Sequence, residues 1–352
     1  MKNKKTFVFW MLIALLLAAI AFTQCYVNLE KKTKNTGELQ IVTSFYPMYI
    51  ATANLVKDVD GVTVTNLSEP QTGCLHDYQL TTADMKLLST ADLFIVNGGG
   101  IEGFLTEVAE AYPQLKIVSA SDSIEALEAD DHENHDDHEA TEHEEADNHE
   151  DHEATEHEEA AVHEDHEDHV HNHGEVNGHL WMSVENHELQ VANIAKALKE
   201  MDALHATSYE SNLRDYLQKL EKLREAQEEI REQSEGAGVV ILHSAFAYVA
   251  KDYDWQVLEC LDLDEEDQVT ALSGGDIAQV VELIKANQVS VLLVEKKYGQ
   301  GIATTLEQET GAKPLYLNTC NRGDGSLDSY IEAMGSNIEI ISEVLGEKGA
   351  MK

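Results

Sequence analysis

Apolar positions along this 352-residue chain follow one rule in two separate blocks. Short apolar runs typical of buried strands alternate with stretches in which apolar residues recur every three or four positions, as in amphipathic helices. The first block holds the runs LQIVT, VTVTN, LFIV and LKIVS, and the second holds GVVIL, WQVLEC, VSVLLV and KPLYL. Strands that alternate with helices predict parallel sheets with helices on both faces. The pattern therefore predicts an α/β fold made of two lobes.

A long stretch between the two blocks has helical periodicity and no strand-like run. Residues at about 206–233 place four leucines on one stripe, and a glycine follows as a stop signal. At about 1.5 Å rise per residue, a helix of this length measures about 40 Å. We expect it to span both lobes as a stiff spine. The leucines of the stripe are Leu213, Leu217, Leu220 and Leu223.

A polar tract at 128–175 interrupts the first block after its last predicted strand. It carries twelve of the 17 histidines and neither Lys nor Arg, and the letters DHEATEHEEA occur in it at 137–146 and again at 151–160. A segment with almost no large apolar side chains does not offset the entropy lost on ordering. We therefore expect the tract to be disordered.

The composition of the tract indicates metal binding. Imidazoles among carboxylates suit Zn²⁺ and other late divalent ions, whereas carboxylates alone suit Ca²⁺ or Mg²⁺. The tract is predicted to be an auxiliary metal collector, and the alternative is a solubilising acidic linker. Its histidines are His132, His135, His138, His143, His149, His152, His157, His163, His166, His169, His171 and His173.

The first 25 residues have the features of an export signal. Lys2, Lys4 and Lys5 precede an unbroken apolar run at 7–22, which fits a secretory signal core and is short for a membrane span. Cys25 follows this run. We expect lipid anchoring of the N-terminus at Cys25, and a retained signal anchor or an unlipidated protein would also fit. The chain is therefore predicted to lie on the extracytoplasmic face of a membrane.

The formal net charge of -42 restricts the possible partners. A chain this acidic is unsuited to nucleic acid and suited to a cationic ligand. Three cysteines besides Cys25 occur, at Cys74, Cys260 and Cys320. Because export exposes thiols to oxidation, they form either one pair with a free thiol or no bridge.

Three histidines outside the tract stand in apolar or strand-end contexts, namely His76, His179 and His243. In open α/β sheets the ligand crevice lies beyond the carboxyl ends of the strands, where His76 and His243 are expected. Three imidazoles from two lobes would make a zinc site. Each histidine taken singly is more often a hydrogen-bonded core residue, and their wide spacing matches no short metal motif. His187 and His205, in polar helical surroundings, are predicted to be surface residues.

Four phrases around these histidines carry a family resemblance. They read HDYQLTTADMKLLSTADLFIVNGGGIEGFL, GHLWMSVEN, LHSAFAYVAKDY and LVEKKYGQGIATTLEQETGAKPLYLN. In this order they resemble the metal-binding solute receptors of bacterial ABC importers (cluster 9), specifically the high-affinity zinc-uptake branch, over about 39–345. The resemblance implies two Rossmann-like lobes joined by a long rigid helix, with one metal between them. It also implies a histidine-rich loop in the first lobe.

The resemblance assigns His76 and His179 as ligands from the first lobe and His243 as the ligand from the second. The fourth ligand of the family is commonly an Asp, but Asn318 stands at that place in LYLNTCNRGD. The fourth position is therefore expected to be water or Asn318, with a thiolate of Cys320 or Cys74 as the second choice. The implied partners are Zn²⁺ as transported ligand and a cognate ABC permease in the membrane, and a monomer is expected.

Three different functions compete with that of a zinc receptor. Three histidines and a water also suit a secreted zinc hydrolase, with Glu295 or Asp77 as base. The sequence lacks an HExxH motif and a nucleophile elbow, so no enzyme is expected. The second competing function is a cell-surface zinc buffer, in which the tract performs the binding. The third is a receptor for manganese or another divalent metal.

The predicted organisation follows from these features. It comprises a signal segment at 1–25, a tether at 26–38, a first lobe at 39–182 with the tract at 128–175, a helical segment at 183–236 and a second lobe at 237–348.

Overall fold

The structure is a computed structural model that describes five stretches of the chain. The predicted signal segment and tether, the loop with Cys74, His76 and Asp77, and the twelve tract histidines lie outside them. The described ranges are 38–68, 78–128, 176–234, 236–263 and 272–348.

The first sheet has four parallel strands, β1 Leu39–Thr43, β2 Val62–Asn66, β3 Leu93–Val96 and β4 Lys116–Ser119. Their spatial order is β2-β1-β3-β4. The helices between them are α1 Tyr46–Leu55, α2 Thr82–Leu88 and α3 Leu105–Ala111. All four residues of β3 are buried, because a central strand of a parallel sheet is covered on both faces.

Two helices follow the first sheet, α4 Val184–Met201 and α5 Ala206–Ser234. A 3-10 turn at Leu180–Met182 precedes α4, and another at Ala203–His205 separates the two helices. With 29 residues, α5 is about 43 Å long at the ordinary helical rise. The predicted spine helix is confirmed.

The second sheet repeats the topology of the first. Its parallel strands are β5 Gly238–Ile241, β6 Gln256–Cys260, β7 Val291–Glu295 and β8 Lys313–Leu317, in the order β6-β5-β7-β8. The remaining helices are α6 Phe246–Asp252, α7 Gly274–Asn287, α8 Gln300–Thr310 and α9 Ser329–Lys348. The predicted α/β fold with two parallel sheets is confirmed.

The spine helix α5 connects the two lobes through shared packing. It contacts α1, α4 and α9. Strand β5 shows how the second sheet joins this core: Val239 and Ile241 belong to the cluster shared with the spine, whereas Val240 faces a separate cluster under α7 and α8. This alternation follows from the two-residue period of a strand. Within the described ranges, no helix is long and apolar enough to cross a membrane.

The prediction that His187 lies on the surface was wrong. Its side chain is fully buried in α4 and stacks on Tyr330, with ring centroids 4.0 Å apart. Burial lowers the pKa of His187 to about 4, so the ring is neutral at physiological pH. The polar neighbours in sequence misled the prediction, because His187 falls on the buried stripe of the helix. The apolar members of that stripe are Val184, Val191, Ile194 and Leu198. His205 is half-buried, and its Nδ1 lies 2.6 Å from Oδ2 of Asp202.

Candidate metal centre

His179 lies in a segment that buried neighbours hold in place. All three residues of the 3-10 turn that follows it are buried. The indole Nε1 of Trp181 donates to the backbone oxygen of Thr319 at 2.8 Å, and the hydroxyl of Tyr330 donates to the backbone oxygen of Trp181 at 2.7 Å. Thr319 and Tyr330 both follow β8. The His179 segment is therefore docked against the C-terminal part of the chain.

Gly178 lets this segment approach the end of β3 closely. A Cβ atom at Gly178 would lie 2.9 Å from the backbone oxygen of Gly99 and from Cβ of Ile101, which leaves no room for a side chain. The carbonyl oxygen of Gly178 accepts a hydrogen bond from Nδ2 of Asn97 at 2.9 Å. Because Asn97 directly follows β3, the end of that strand fixes the residue next to His179.

His243 comes two residues after β5 and meets His179 across the two lobes. Both residues are 3% exposed. Their ring centroids lie 5.1 Å apart, with the ring planes at 82°. The structure thus brings together two of the three histidines predicted to be ligands. The third, His76, lies outside the described residues.

The Nδ1 atom of His179 is oriented by the side chain of Asn177. The Oδ1 atom of Asn177 lies 2.9 Å from Nδ1 of His179 and also accepts the backbone N–H of His179 at 3.1 Å. Because Oδ1 can only accept, Nδ1 carries the proton in this hydrogen bond. In that tautomer the lone pair is on Nε2, the atom that would bind a metal.

Glu295 holds the corresponding position beside His243. Its Oε2 lies 3.3 Å from Nδ1 of His243, and both side chains are buried. The other carboxylate oxygen, Oε1, accepts a hydrogen bond from Oγ1 of Thr319 at 3.3 Å. The strand order explains the contact: β7 lies between β5 and β8, so the residues at their carboxyl ends meet at one edge. From the sequence, Glu295 was a candidate only for the base of a hydrolase.

Of the three residues named for the fourth position, Cys74 lies outside the described residues, and the other two have other surroundings. Asn318 is exposed, and its Oδ1 accepts the backbone N–H of Cys320 at 2.8 Å. Burial raises the pKa of the Cys320 thiol to about 12, so the thiol is protonated at physiological pH in the metal-free protein. Within the described ranges, no set of three or more His, Cys, Asp and Glu side chains is arranged to hold a metal.

A buried carboxyl group lies at the carboxyl ends of β1 and β3. Glu102 accepts hydrogen bonds from Oγ of Ser44 at 2.8 Å and from the backbone N–H groups of Asn97 and Gly98 at 2.6 and 3.0 Å. Burial raises the pKa of Glu102 to about 7, although these donors act in the opposite direction. The network fixes Asn97, which in turn holds the segment of His179.

A half-buried carboxyl group joins the lobes at the start of α4. Asp252, the last residue of α6, accepts hydrogen bonds from Oγ of Ser183 at 2.8 Å and from the backbone N–H of Val184 at 3.2 Å. It thereby satisfies donors at a helix N-terminus, where a negative charge is favourable. Burial raises the pKa of Asp252 to about 6. The C-terminal lobe thus caps the helix that follows the His179 segment.

The side chains in this cleft have the chemistry that metal-binding histidines need. The Nδ1 atoms of two buried imidazoles from opposite lobes each face an oxygen atom, which is an amide oxygen at 2.9 Å from His179 and a carboxylate oxygen at 3.3 Å from His243. Oxygen partners of this kind fix the tautomer of metal-binding histidines and raise their basicity. The fold is that of a two-lobed protein, and two buried imidazoles meet where its lobes face each other.

Comparison with known families agrees with this class. Residues 41–344 match the family described as zinc-uptake complex component A, periplasmic, and the chain belongs to this family. The family consists of metal-binding receptors of uptake systems, so the chain is not an enzyme and the hydrolase hypothesis is excluded. The family resemblance seen in the sequence is confirmed.

Individual relatives bind different metals. The high-affinity zinc uptake system protein ZnuA of Bacillus subtilis (strain 168) is 28% identical over 315 residues, which cover 88% of each chain. The iron-binding protein YfeA of Yersinia pestis is 24% identical over 324 residues, 90% of each chain. The solute-binding protein FpvC of Pseudomonas aeruginosa, solved in complex with Mn²⁺, superposes with a TM-score of 0.67 at 21% identity. It covers 89% of this chain and 100% of its own.

Proposed function

We propose that this chain captures Zn²⁺ between its lobes and delivers it to a cognate ABC permease in the membrane. The observation that carries the proposal is the meeting of His179 and His243, from opposite lobes, with ring centroids 5.1 Å apart. His76 is the third ligand in this proposal. Its loop joins the end of β2 to the start of α2, and β2 pairs with β1 in the first sheet.

Zinc is the cargo that suits these ligands best. Imidazole nitrogen is a preferred ligand of Zn²⁺, whereas Mn²⁺ prefers carboxylate, carbonyl and water oxygen. The relatives named above include an iron-binding protein and a structure with bound Mn²⁺. The choice of zinc therefore rests on the ligands of this chain. In this proposal Glu295 is not a ligand itself, and it orients the ring of His243.

Water is the ligand we propose for the fourth position. The side chain of Asn318 is exposed, and its oxygen already accepts a hydrogen bond from the backbone of Cys320. The Sγ atom of Cys320 already donates to the backbone oxygen of Asn318 at 3.8 Å, and burial raises the pKa of this thiol to about 12. Three imidazoles and a water complete the tetrahedral coordination that zinc prefers.

The N-terminus and the tract have accessory roles in this proposal. Lipidation at Cys25 holds the chain at the extracytoplasmic face of the membrane, close to the permease. The chain acts as a monomer. The tract collects several further zinc ions weakly through its twelve histidines. Because protons compete for imidazoles with an ordinary pKa of about 6.5, this capacity should fall between roughly pH 7 and 5.5. Calorimetry across this range, with and without the tract, measures it.

Deleting the tract tests the proposed function. Glu128 and Val176 pair in an antiparallel bridge, so a short glycine linker can replace 129–175. The shortened protein should take up one tightly bound Zn²⁺ in competition with a chelator. Substituting His179→Ala in this background should abolish that uptake.

Two results would reject the proposal. If deleting the tract removes all tight zinc binding, the protein is a cell-surface zinc buffer instead of a receptor. Tighter binding of Mn²⁺ than of Zn²⁺ by the shortened protein indicates a receptor for another divalent metal.

A further inference from the structure

One buried side chain contacts the segments of both histidines. Asn177, 7% exposed, accepts the backbone N–H of His179 and faces its Nδ1 with the same Oδ1 atom. The Nδ2 atom of Asn177 donates to the backbone oxygen of Ser244 at 2.8 Å. Ser244 directly follows His243. The oxygen and the nitrogen of a single amide therefore contact His179 in the first lobe and the backbone next to His243 in the second lobe.

The backbone of Asn177 is also held from the second lobe. The hydroxyl of Tyr248, in α6, donates to the backbone oxygen of Asn177 at 2.6 Å. The same hydroxyl accepts the backbone N–H of Leu127 at 3.0 Å. Asn177 is thus fixed to the second lobe through its side chain and its main chain.

We propose that Asn177 is a positioning residue of the metal centre, which orients the ring of His179 and ties it to the segment of His243. The inference rests on the proposed function and adds a residue to it. Ligands that are held in place before the metal arrives need little rearrangement to bind it. The link between the lobes should also slow the release of bound zinc.

The chemistry of this position requires an amide. The two contacts need an acceptor and a donor on separate atoms of one short side chain, and the amide of asparagine has both. An aspartate would keep the acceptor for His179 but would turn a second oxygen toward the carbonyl of Ser244. Asn177→Asp therefore separates the two contacts, and Asn177→Ala removes both.

Asn193 offers a matched control. It is also an asparagine whose Nδ2 donates to backbone oxygens, at 2.8 Å to Ala120 and 3.0 Å to Asp122. These contacts lie within the first lobe. Asn193→Ala should therefore lower thermal stability without affecting the metal centre.

The test uses the full chain with Zn²⁺ as the probe. Competition with a tight chelator reports the high-affinity site, and excess chelator in a stopped-flow experiment gives the zinc dissociation rate. Outer partners of metal ligands typically contribute 10- to 100-fold in affinity, so Asn177→Ala should weaken zinc binding by about that factor. Asn177→Asp should bind more tightly than Asn177→Ala but release zinc faster than the wild type. Asn193→Ala should match the wild type in both quantities.

The outcomes that overturn the assignment are distinct from failure of the proposed function. Affinity of Asn177→Ala within about twofold of the wild type, or an equal loss in Asn193→Ala, leaves Asn177 with a structural role only. If Asn177→Ala does not fold, a wild-type dissociation rate in Asn177→Asp overturns the link between the lobes. A wild-type chain without any tight site rejects the proposed function itself.

Discussion

The two halves of the candidate centre orient their histidines with different chemical groups. In the first lobe, His179 faces the neutral amide oxygen of Asn177, two residues away in sequence. In the second lobe, His243 faces the carboxylate of Glu295, which comes from a different strand. The amide of Asn177 is neutral and close to its histidine in sequence, whereas the carboxylate of Glu295 is ionisable and far from its histidine in sequence.

This difference assigns separate tasks to the two lobes. A carboxylate behind an imidazole raises its basicity more than an amide does, so His243 should be the stronger donor to a metal. The amide behind His179 instead has a second atom available, which reaches the chain beside His243. In the proposed centre, the second lobe would therefore supply the stronger ligand, and the first lobe would supply the connection between the lobes.

Removing either ring should have the largest effect. His179→Ala and His243→Ala, each in the protein without the tract, should weaken zinc binding by several orders of magnitude, because each removes a metal ligand. Chelator competition measures the loss. The matched control is His205→Ala, since that half-buried ring pairs with Asp202 away from the cleft. A variant of either cleft histidine that binds zinc as tightly as the control would remove that residue from the centre.

Neutralising the carboxylate behind His243 should have the next largest effect. Glu295→Gln keeps an oxygen near Nδ1 but removes the negative charge, so zinc affinity should fall about tenfold. Thr319→Val removes only the hydrogen bond to the other carboxylate oxygen and should cost much less. Titrations with zinc compare the two variants. Equal affinities for Glu295→Gln and the wild type would mean that charge behind His243 is unimportant.

His187 provides a contrast with the cleft histidines, because it is equally buried but has a packing role. Its pKa is lowered to about 4 by burial, whereas the unfolded chain has the ordinary value of about 6.5. The unfolded state therefore binds this proton first as pH falls. Stability that is fully present above pH 6.5 should be lost between pH 6.5 and 4, on the order of 3 kcal/mol.

The variant His187→Gln should lose less stability over this window than the wild type, with unchanged zinc affinity. Urea unfolding of the metal-free protein at several pH values measures the difference, and His205→Gln is the control. A parallel pH dependence for His187→Gln and the wild type would refute the role given to burial.

Changing Asn318 should have the smallest effect. Because Asn318 is exposed and its oxygen is engaged by the backbone of Cys320, Asn318→Asp should alter zinc affinity by less than about threefold. Parallel titrations with Zn²⁺ and Mn²⁺ check this. A clear gain for Mn²⁺ over Zn²⁺, with slower zinc release, would return residue 318 to the first coordination shell.

The sequence predicted the helices and strands more completely than the tertiary contacts that individual side chains make. Helical periodicity gave the spine helix to within about one residue, and strand-like runs gave two parallel sheets. His187 shows the limit of local context. Its spacing from Val184 and Val191 contains the signal of a buried stripe, which the charged neighbours obscured.

The supports of the two cleft histidines were missed for different reasons. Asn177 stands two residues before His179, so a search for oxygen acceptors close to each candidate ligand would have found it. Glu295 stands 52 residues after His243, and their contact depends on β5 and β7 being neighbours. Strand order is set by packing of the whole lobe, and no local pattern in the sequence contains it.

The identity of the atoms around the bound metal tests the proposed centre most directly. Zinc K-edge X-ray absorption on the protein without the tract, loaded with one equivalent of Zn²⁺, reports those atoms and their distances. We expect three imidazole nitrogens at about 2.0–2.1 Å and one oxygen, with imidazole scattering reduced in His243→Ala. A sulfur ligand at about 2.3 Å, or a shell of oxygen atoms without imidazole, would contradict a centre built from His76, His179 and His243.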